Sequence, residues 1–142
     1  MNISSVRRDL AAALRPRPAW SGVQLFEYPP GKLATASRWL AFSDHRLTNE
    51  DLFLRGEDDA AALLDGVVVV NVSAGASDAR WRESEEAAEA LLVDLRTYLR
   101  GPPRPAIGDH CRLASWTGGA SITDSGAIFY RAAFTLEVRI FS

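Results

Sequence analysis

Three consecutive residues, Asp109, His110 and Cys111, have the types that a nucleophilic catalyst uses: a carboxylate, a general base and a thiol. In an extended chain successive side chains point to opposite faces, so His110 would be turned away from both of its neighbours. A Cys–His pair must meet within hydrogen-bonding distance to work. The spacing therefore favours a small apolar cysteine that enters a strand, next to a surface histidine.

A second candidate for chemistry is the Pro-Pro-Gly-Lys stretch of residues 29–32, whose ending resembles a phosphate-binding loop. Such a loop needs G-x-x-x-x-G-K-[ST], because its backbone N–H groups close around the phosphates. Here Phe26 stands in place of the first glycine, Leu33 replaces the hydroxyl residue, and Pro29 and Pro30 lack the N–H donors. The stretch instead predicts a turn between two strands, VQLFEY and SRWLAFS, that pair as a hairpin.

Motifs for metals and for other catalysts do not occur in the sequence. The two histidines, His45 and His110, and the single cysteine follow neither C-x-x-C nor H-E-x-x-H spacing. The acidic run Glu57, Asp58 and Asp59 lacks the alternating ligands of a calcium loop. There is no G-x-S-x-G elbow. We therefore expect no cofactor, no metal and no catalytic site, and we expect the protein not to be an enzyme.

Composition limits the class of protein further. A chain of 142 residues with 47% hydrophobic content fits one compact domain. The net charge of −2 gives no electrostatic footprint for nucleic acid or for an anionic membrane. The lone cysteine rules out an intramolecular disulfide, and a cytosolic origin is the natural expectation. The first residues lack the apolar core of a signal peptide, and no run is long enough to span a bilayer.

Hydrophobic spacing predicts the elements in order. Apolar residues at helical spacing predict an amphipathic helix up to Pro16, and the two aromatic strands follow it. Residues 44–65 carry mostly acidic charges and predict a polar loop or insertion, in which EDDAAALLD forms a helical turn. GVVVVNVSAG predicts a central strand, and residues 78–100 predict a second helix that ends at Gly101. HCRLASW predicts a strand, and TGGASITDSG a flexible connection.

The chain closes with AIFYRAAFTLEVRIFS, in which seven apolar residues recur at every second position, and this predicts one long strand with a buried face. Arg131, Thr135, Glu137 and Arg139 fall on the opposite, polar face. Because the strand exceeds the usual length, we expect it to extend past its neighbours and brace another subunit. The predicted fold is an α+β domain over residues 1–142. Its antiparallel or mixed sheet has four to five strands flanked by two helices, in the order α-β-β-loop-β-α-β-β.

This layout resembles the tail terminator (tail completion) proteins of long-tailed bacteriophages, especially those of actinobacterial hosts. The resemblance rests on the short N-terminal helix, GVQLFEYPPGKL, SRWLAF, the central strand, the helix EEAAEALLVDLRTYLR and the terminal F-T-L-E-V strand. It implies a non-enzymatic virion protein that assembles in the host cytoplasm. Six copies would form a ring on the head-proximal end of the tail tube and end its polymerisation. The implied partners are other copies of the chain, the major tail tube protein and the head–tail connector. No membrane and no sequence-specific nucleic acid are implied, although the ring leaves room for DNA.

Assembly contacts follow as expectations. The candidate contact residues are Tyr28, Pro29, Pro30, Lys32, Glu57, Asp58, Asp59, Arg131, Glu137 and Arg139. Arg7, Arg8, Arg15 and Arg17 are expected to face the acidic segment of a neighbouring subunit. Two alternatives stay open. One is another head–tail connector or neck protein, and the other is a small-molecule-binding or enzymatic domain. The pocket of that domain would lie between sheet and helices, lined by Trp39, Tyr98 or Trp116.

Overall fold

A computed structural model of the chain describes residues 2–31, 37–48, 60–72, 77–122 and 128–140. Five strands form one mixed sheet in the order β1-β2-β3-β5-β4. The strands are β1 (Gln24–Phe26), β2 (Arg38–Thr48), β3 (Ala60–Asn71), β4 (Cys111–Ile122) and β5 (Ile128–Ile140). The sheet and two helices build a single α+β domain, as the sequence predicts.

Both helices begin and end where local chemistry places them. Helix α1 (Ile3–Leu14) starts at a capping box, in which Asn2 accepts from the backbone N–H of Ser5 and the Ser5 hydroxyl accepts from the backbone N–H of Asn2. Helix α2 (Asp78–Arg100) stops at Gly101, whose φ of 72° lies in the region that favours glycine. Neither helix in the described part of the chain combines the length and the apolar content that crossing a bilayer requires.

The core lies between the helices and one face of the sheet. Strand β5 supplies alternate buried side chains to it, as its sequence pattern predicts, and β3 supplies another set from the centre of the sheet. The buried residues of α1 and α2 belong to the same cluster. Its largest fully buried members are Trp20, Phe42, Phe134, Leu10, Leu14, Leu40, Leu64, Leu92, Leu95 and Leu136.

The expected hairpin between the first two strands is wrong. β1 pairs with β2 in parallel, with Gln24 opposite Trp39 and Phe26 opposite Ala41. Parallel neighbours need a connection that returns the chain to its starting end, and residues 27–37 make that return. The prolines therefore do not bend a hairpin; they lie at the edge of the sheet, where the chain leaves β1.

Three further expectations are corrected by strand lengths. The polar insertion at residues 44–65 is narrower than predicted, because 44–48 belong to β2 and 60–65 belong to β3 rather than to a helical turn. The supposed flexible connection after Trp116 continues as strand to Ile122. β5 does not extend past its neighbours, since β3 and β4 pair with it along both sides. In each case backbone pairing with a long neighbour outweighs the polar or glycine-rich local sequence.

Candidate functional site

The face of the sheet opposite the helices, called here the open face, has no described helix or strand packed on it. Its side chains alternate with those of the core. They include Trp39 and Ala41 from β2, Val67 and Val69 from β3, and Arg131, Ala133, Thr135, Glu137 and Arg139 from β5. None of these belongs to the main buried cluster. Even so, Ala41 is 2% exposed and Val69 is 3% exposed. The open face is thus a partly apolar surface in the middle of the sheet.

A cleft of about 330 Å³ opens on this face. It is called here the Pro-Trp cleft and is lined by Pro29, Pro30, Trp39, Ala41, Ser43, Val67 and Arg131. Phe26 supports the Trp39 ring in an edge-to-face contact, with ring centroids 6.0 Å apart. The walls are mainly apolar, and the guanidinium of Arg131 is the charged group among the lining residues. This combination suits an apolar group that carries, or lies next to, a carboxylate.

Arg7 fixes the proline wall of the cleft from the other side of the sheet. It is 4% exposed and donates hydrogen bonds to the carbonyl oxygens of Glu27, at 3.0 Å, and of Ser43. Its guanidinium also lies 4.5 Å from the centre of the Tyr28 ring. Arg7 therefore joins the chain just after β1 to the middle of β2. The sequence signal was present, because Arg7 follows Ile3 by four residues and precedes Leu10 by three on the buried stripe of α1.

Arg131 differs from Arg46, Asp65 and Glu137 on the open face, which are paired. Arg46 forms a salt bridge with Asp65, whose carboxylate also accepts a hydrogen bond from Thr135 at 2.9 Å. Arg112 donates to Glu137 at 2.9 Å, and this hydrogen bond raises the pKa of the arginine. Arg131 is exposed and has no ion pair with a described residue. Among the described residues, no carboxylate pairs with its guanidinium.

The structure brings three of the predicted contact residues together, since Pro29, Pro30 and Arg131 all line the Pro-Trp cleft. Tyr28 is next to it and 55% exposed. Glu137 and Arg139 lie on the open face toward the far end of β5, where Glu137 is paired with Arg112. Lys32, Glu57, Asp58 and Asp59 lie outside the described residues.

Two of the four arginines expected to form a contact patch on the N-terminal segment bond to groups of their own chain. Arg17 forms a two-pronged salt bridge with Asp94, at 2.8 and 2.9 Å, and its guanidinium lies 5.2 Å from the Tyr98 ring. The indole N–H of Trp20 donates to the same carboxylate at 2.8 Å. Together with the buried Arg7, this leaves Arg8 and Arg15 as the exposed members, and Arg8 contacts Asp9. The expected contact of this patch with an acidic segment therefore depends mainly on Arg8 and Arg15, and it stays a prediction.

The candidate nucleophile is not activated. Cys111 is 4% exposed on the helix side of β4, and burial raises the pKa of its thiol to about 12. A thiol with such a pKa is protonated at neutral pH and reacts poorly. Within the described ranges, no three His, Cys, Asp or Glu side chains come close enough together to hold a metal ion.

The three residues named for the pocket of the enzymatic alternative do not lie together. Trp39 lies on the open face, whereas Trp116 packs against the buried cluster on the helix side of the sheet. Tyr98 lies on α2 under Arg17. The three side chains therefore do not line one cavity.

The outer edge of β4 is a second unsatisfied surface. β4 pairs with β5 on one side only, and none of the described strands pairs with its other side from Cys111 to Ile122. Ile122, at the end of this edge, is 72% exposed. Near the middle, a Cβ atom on Gly118 would lie 1.9 Å from the Tyr130 hydroxyl, so the Tyr130 ring occupies the space a side chain would take.

Comparison of the chain with protein-family models and with curated protein sequences found no match.

Proposed function

We propose that this chain is a structural subunit of a phage tail, and that it assembles into a closed ring that caps the head-proximal end of the tail tube. The resemblance to tail terminator proteins supplies the identity of the assembly, with six subunits as the expected number. The observation that carries self-assembly is the 12-residue outer edge of β4, with which none of the described strands pairs.

A strand edge of this length presents a row of free backbone N–H and C=O groups. Proteins that stay monomeric usually shorten, charge or cover such an edge. Here Arg112 is the only charged residue of β4, and it lies at the beginning of the strand, paired with Glu137. The rest of the strand is uncharged and consists of small, hydroxylated, aliphatic and aromatic residues. The edge therefore suits a protein neighbour better than water.

The two ends of the sheet differ, and this favours a ring over a symmetric pair. At one end lies β4, and at the other lie the three residues of β1 beside the longer β2. A contact between unlike surfaces is heterologous and repeats from subunit to subunit, so it closes into a ring when the rotation allows. A contact of β4 with a second β4 would instead stop at a dimer.

The proposal is tested by sedimentation velocity and negative-stain electron microscopy of the purified protein over a range of concentrations. The expected result is a concentration-dependent species several-fold heavier than the chain, seen as rings with a central hole. A dimer that grows no further, or a strict monomer that binds a metabolite, would contradict the proposal.

A further inference from the structure

We infer that the Pro-Trp cleft binds the acidic–apolar segment of residues 49–59 from a second copy of this chain. The inference rests on the proposed function and adds a specific contact to it. The segment reads NEDLFLRGEDD, in which three consecutive apolar residues are flanked on both sides by carboxylates.

The chemistry of cleft and segment is complementary. The cleft offers the Trp39 ring, two proline rings and Val67 to an apolar side chain. At its rim, Arg131 has no carboxylate partner among the described residues. The segment offers Leu52, Phe53 and Leu54 with five acidic residues around them. A guanidinium beside an aromatic wall is the kind of site that takes a carboxylate next to an apolar group.

The segment's carboxylates cannot reach Arg131 of their own chain. The segment joins β2 to β3, and Thr48 pairs with Ala61 at that end of the sheet. Arg131 pairs with Val69, eight residues along β3 from Ala61, so roughly 26 Å of strand separates the two positions. Every carboxylate of the segment lies within three residues of Thr48 or Ala60, or about 11 Å of extended chain. Even with both side chains extended, an ion pair between this segment and Arg131 falls short within one chain, so the proposed contact joins two copies.

This contact joins unlike ends of the molecule. The segment leaves the sheet where β2 ends and β3 begins, and the cleft lies toward the opposite end of the same strands. One subunit therefore offers its segment while its own cleft receives the segment of the next. Such a head-to-tail contact is heterologous, which is the type that builds rings. Arg7 keeps the receiving wall in place, since it ties the chain at Glu27 to Ser43.

Binding is measured by fluorescence anisotropy with a labelled peptide of residues 49–59 and the full chain. We expect Arg131→Glu to weaken binding about tenfold, because it replaces an ion pair by repulsion. Trp39→Ala should weaken it by a similar factor. The matched control is Arg82→Glu, which makes the same charge change at an exposed position on α2 and should leave binding within about twofold.

A charge-reversed peptide, in which Glu57, Asp58 and Asp59 are each replaced by arginine, should bind the Arg131→Glu variant more tightly than it binds the wild-type protein. A scrambled peptide of the same composition has the same net charge, so it tests whether binding depends on the order of the residues. If the scrambled peptide binds as tightly as the native order, or if Arg131→Glu behaves like Arg82→Glu, the inference is overturned.

Sedimentation of the same variants separates this inference from the proposed function. The inference predicts that Arg131→Glu shifts self-association to higher concentration while Arg82→Glu does not. Rings that form equally well with Arg131→Glu would overturn the inference and leave the ring standing. Peptide binding that depends on Arg131 in a chain that never forms rings would overturn the ring and leave the cleft contact standing.

Discussion

Removal of the Asp94 carboxylate should destabilise the fold by about 2 to 3 kcal/mol. Asp94 accepts two hydrogen bonds from Arg17 and one from the indole of Trp20. Trp20 is 1% exposed, so in Asp94→Ala its N–H is left buried without a partner, which costs about 1 to 3 kcal/mol. The Arg17 and Asp94 side chains are 31% and 21% exposed, so loss of the ion pair adds only up to about 1 kcal/mol.

The measurement is urea unfolding followed by tryptophan fluorescence at one protein concentration, with thermal unfolding beside it. A loss of that size corresponds to a Tm lower by roughly 5 to 10 °C for a chain of this length. Asp94→Asn is the matched control, because its amide oxygen still accepts from Trp20 and should recover part of the loss. If Asp94→Ala costs less than about 0.5 kcal/mol, the reasoning about the buried indole is refuted.

The same network makes a pH prediction. The hydrogen bond from Arg17, helped by the one from Trp20, lowers the pKa of Asp94 in the folded chain. An unfolded aspartate titrates near pH 3.9. A carboxyl whose pKa is lower in the folded state stabilises fully above the unfolded pKa, and this contribution is lost as the pH falls through the folded pKa. The stability difference between the wild type and Asp94→Asn should therefore be constant from pH 5 to 7 and shrink below about pH 4.

Three further predictions concern single positions. Arg7→Met should lower the free energy of unfolding by about 1 to 3 kcal/mol, since it removes the side chain that donates to the carbonyls of Glu27 and Ser43. An unchanged urea midpoint would contradict this role of Arg7. Gly66→Ala should lower the free energy of unfolding by about 1 to 3 kcal/mol, because a Cβ atom there would lie 2.3 Å from the buried Phe134 ring. Gly119→Ala is the control and should be nearly neutral, since a Cβ atom at that position has nothing within 4 Å. Equal effects of the two substitutions would be inconsistent with this packing. Cys111 should resist a thiol reagent at pH 8 in the folded chain and react promptly in urea, and fast reaction in buffer would show that the thiol is not buried.

The sequence predicted the elements that repeat a simple pattern. Strand β5 alternates apolar and polar residues over most of its length, and the structure buries Tyr130, Ala132, Phe134, Leu136 and Val138 as that pattern requires. Both helices were predicted because their apolar stripes end at clear signals, Pro16 and Gly101. The spacing of apolar residues and the residues that end a helix are local properties, so they can be recognised in a single sequence.

Strand partners and strand ends were predicted less well, because they depend on distant residues. Nothing local to Pro29 and Pro30 distinguishes a hairpin from the return that makes β1 parallel to β2. Residues 60–65 look like the start of a helix, yet they lie between β2 and β5 and pair with both. The site followed the same rule. Pro29, Pro30 and Arg131 were each predicted as contacts, but only the folded sheet shows that they line one cleft.

The central claim is that the chain caps a growing tail tube. The direct measurement adds the purified protein to a polymerising phage tail tube protein and records tube lengths and tube ends by negative-stain electron microscopy. The account predicts shorter tubes as the chain is added, with a ring at one end only. Tubes of unchanged length without rings at their ends, at concentrations where the chain itself is assembled, would contradict it.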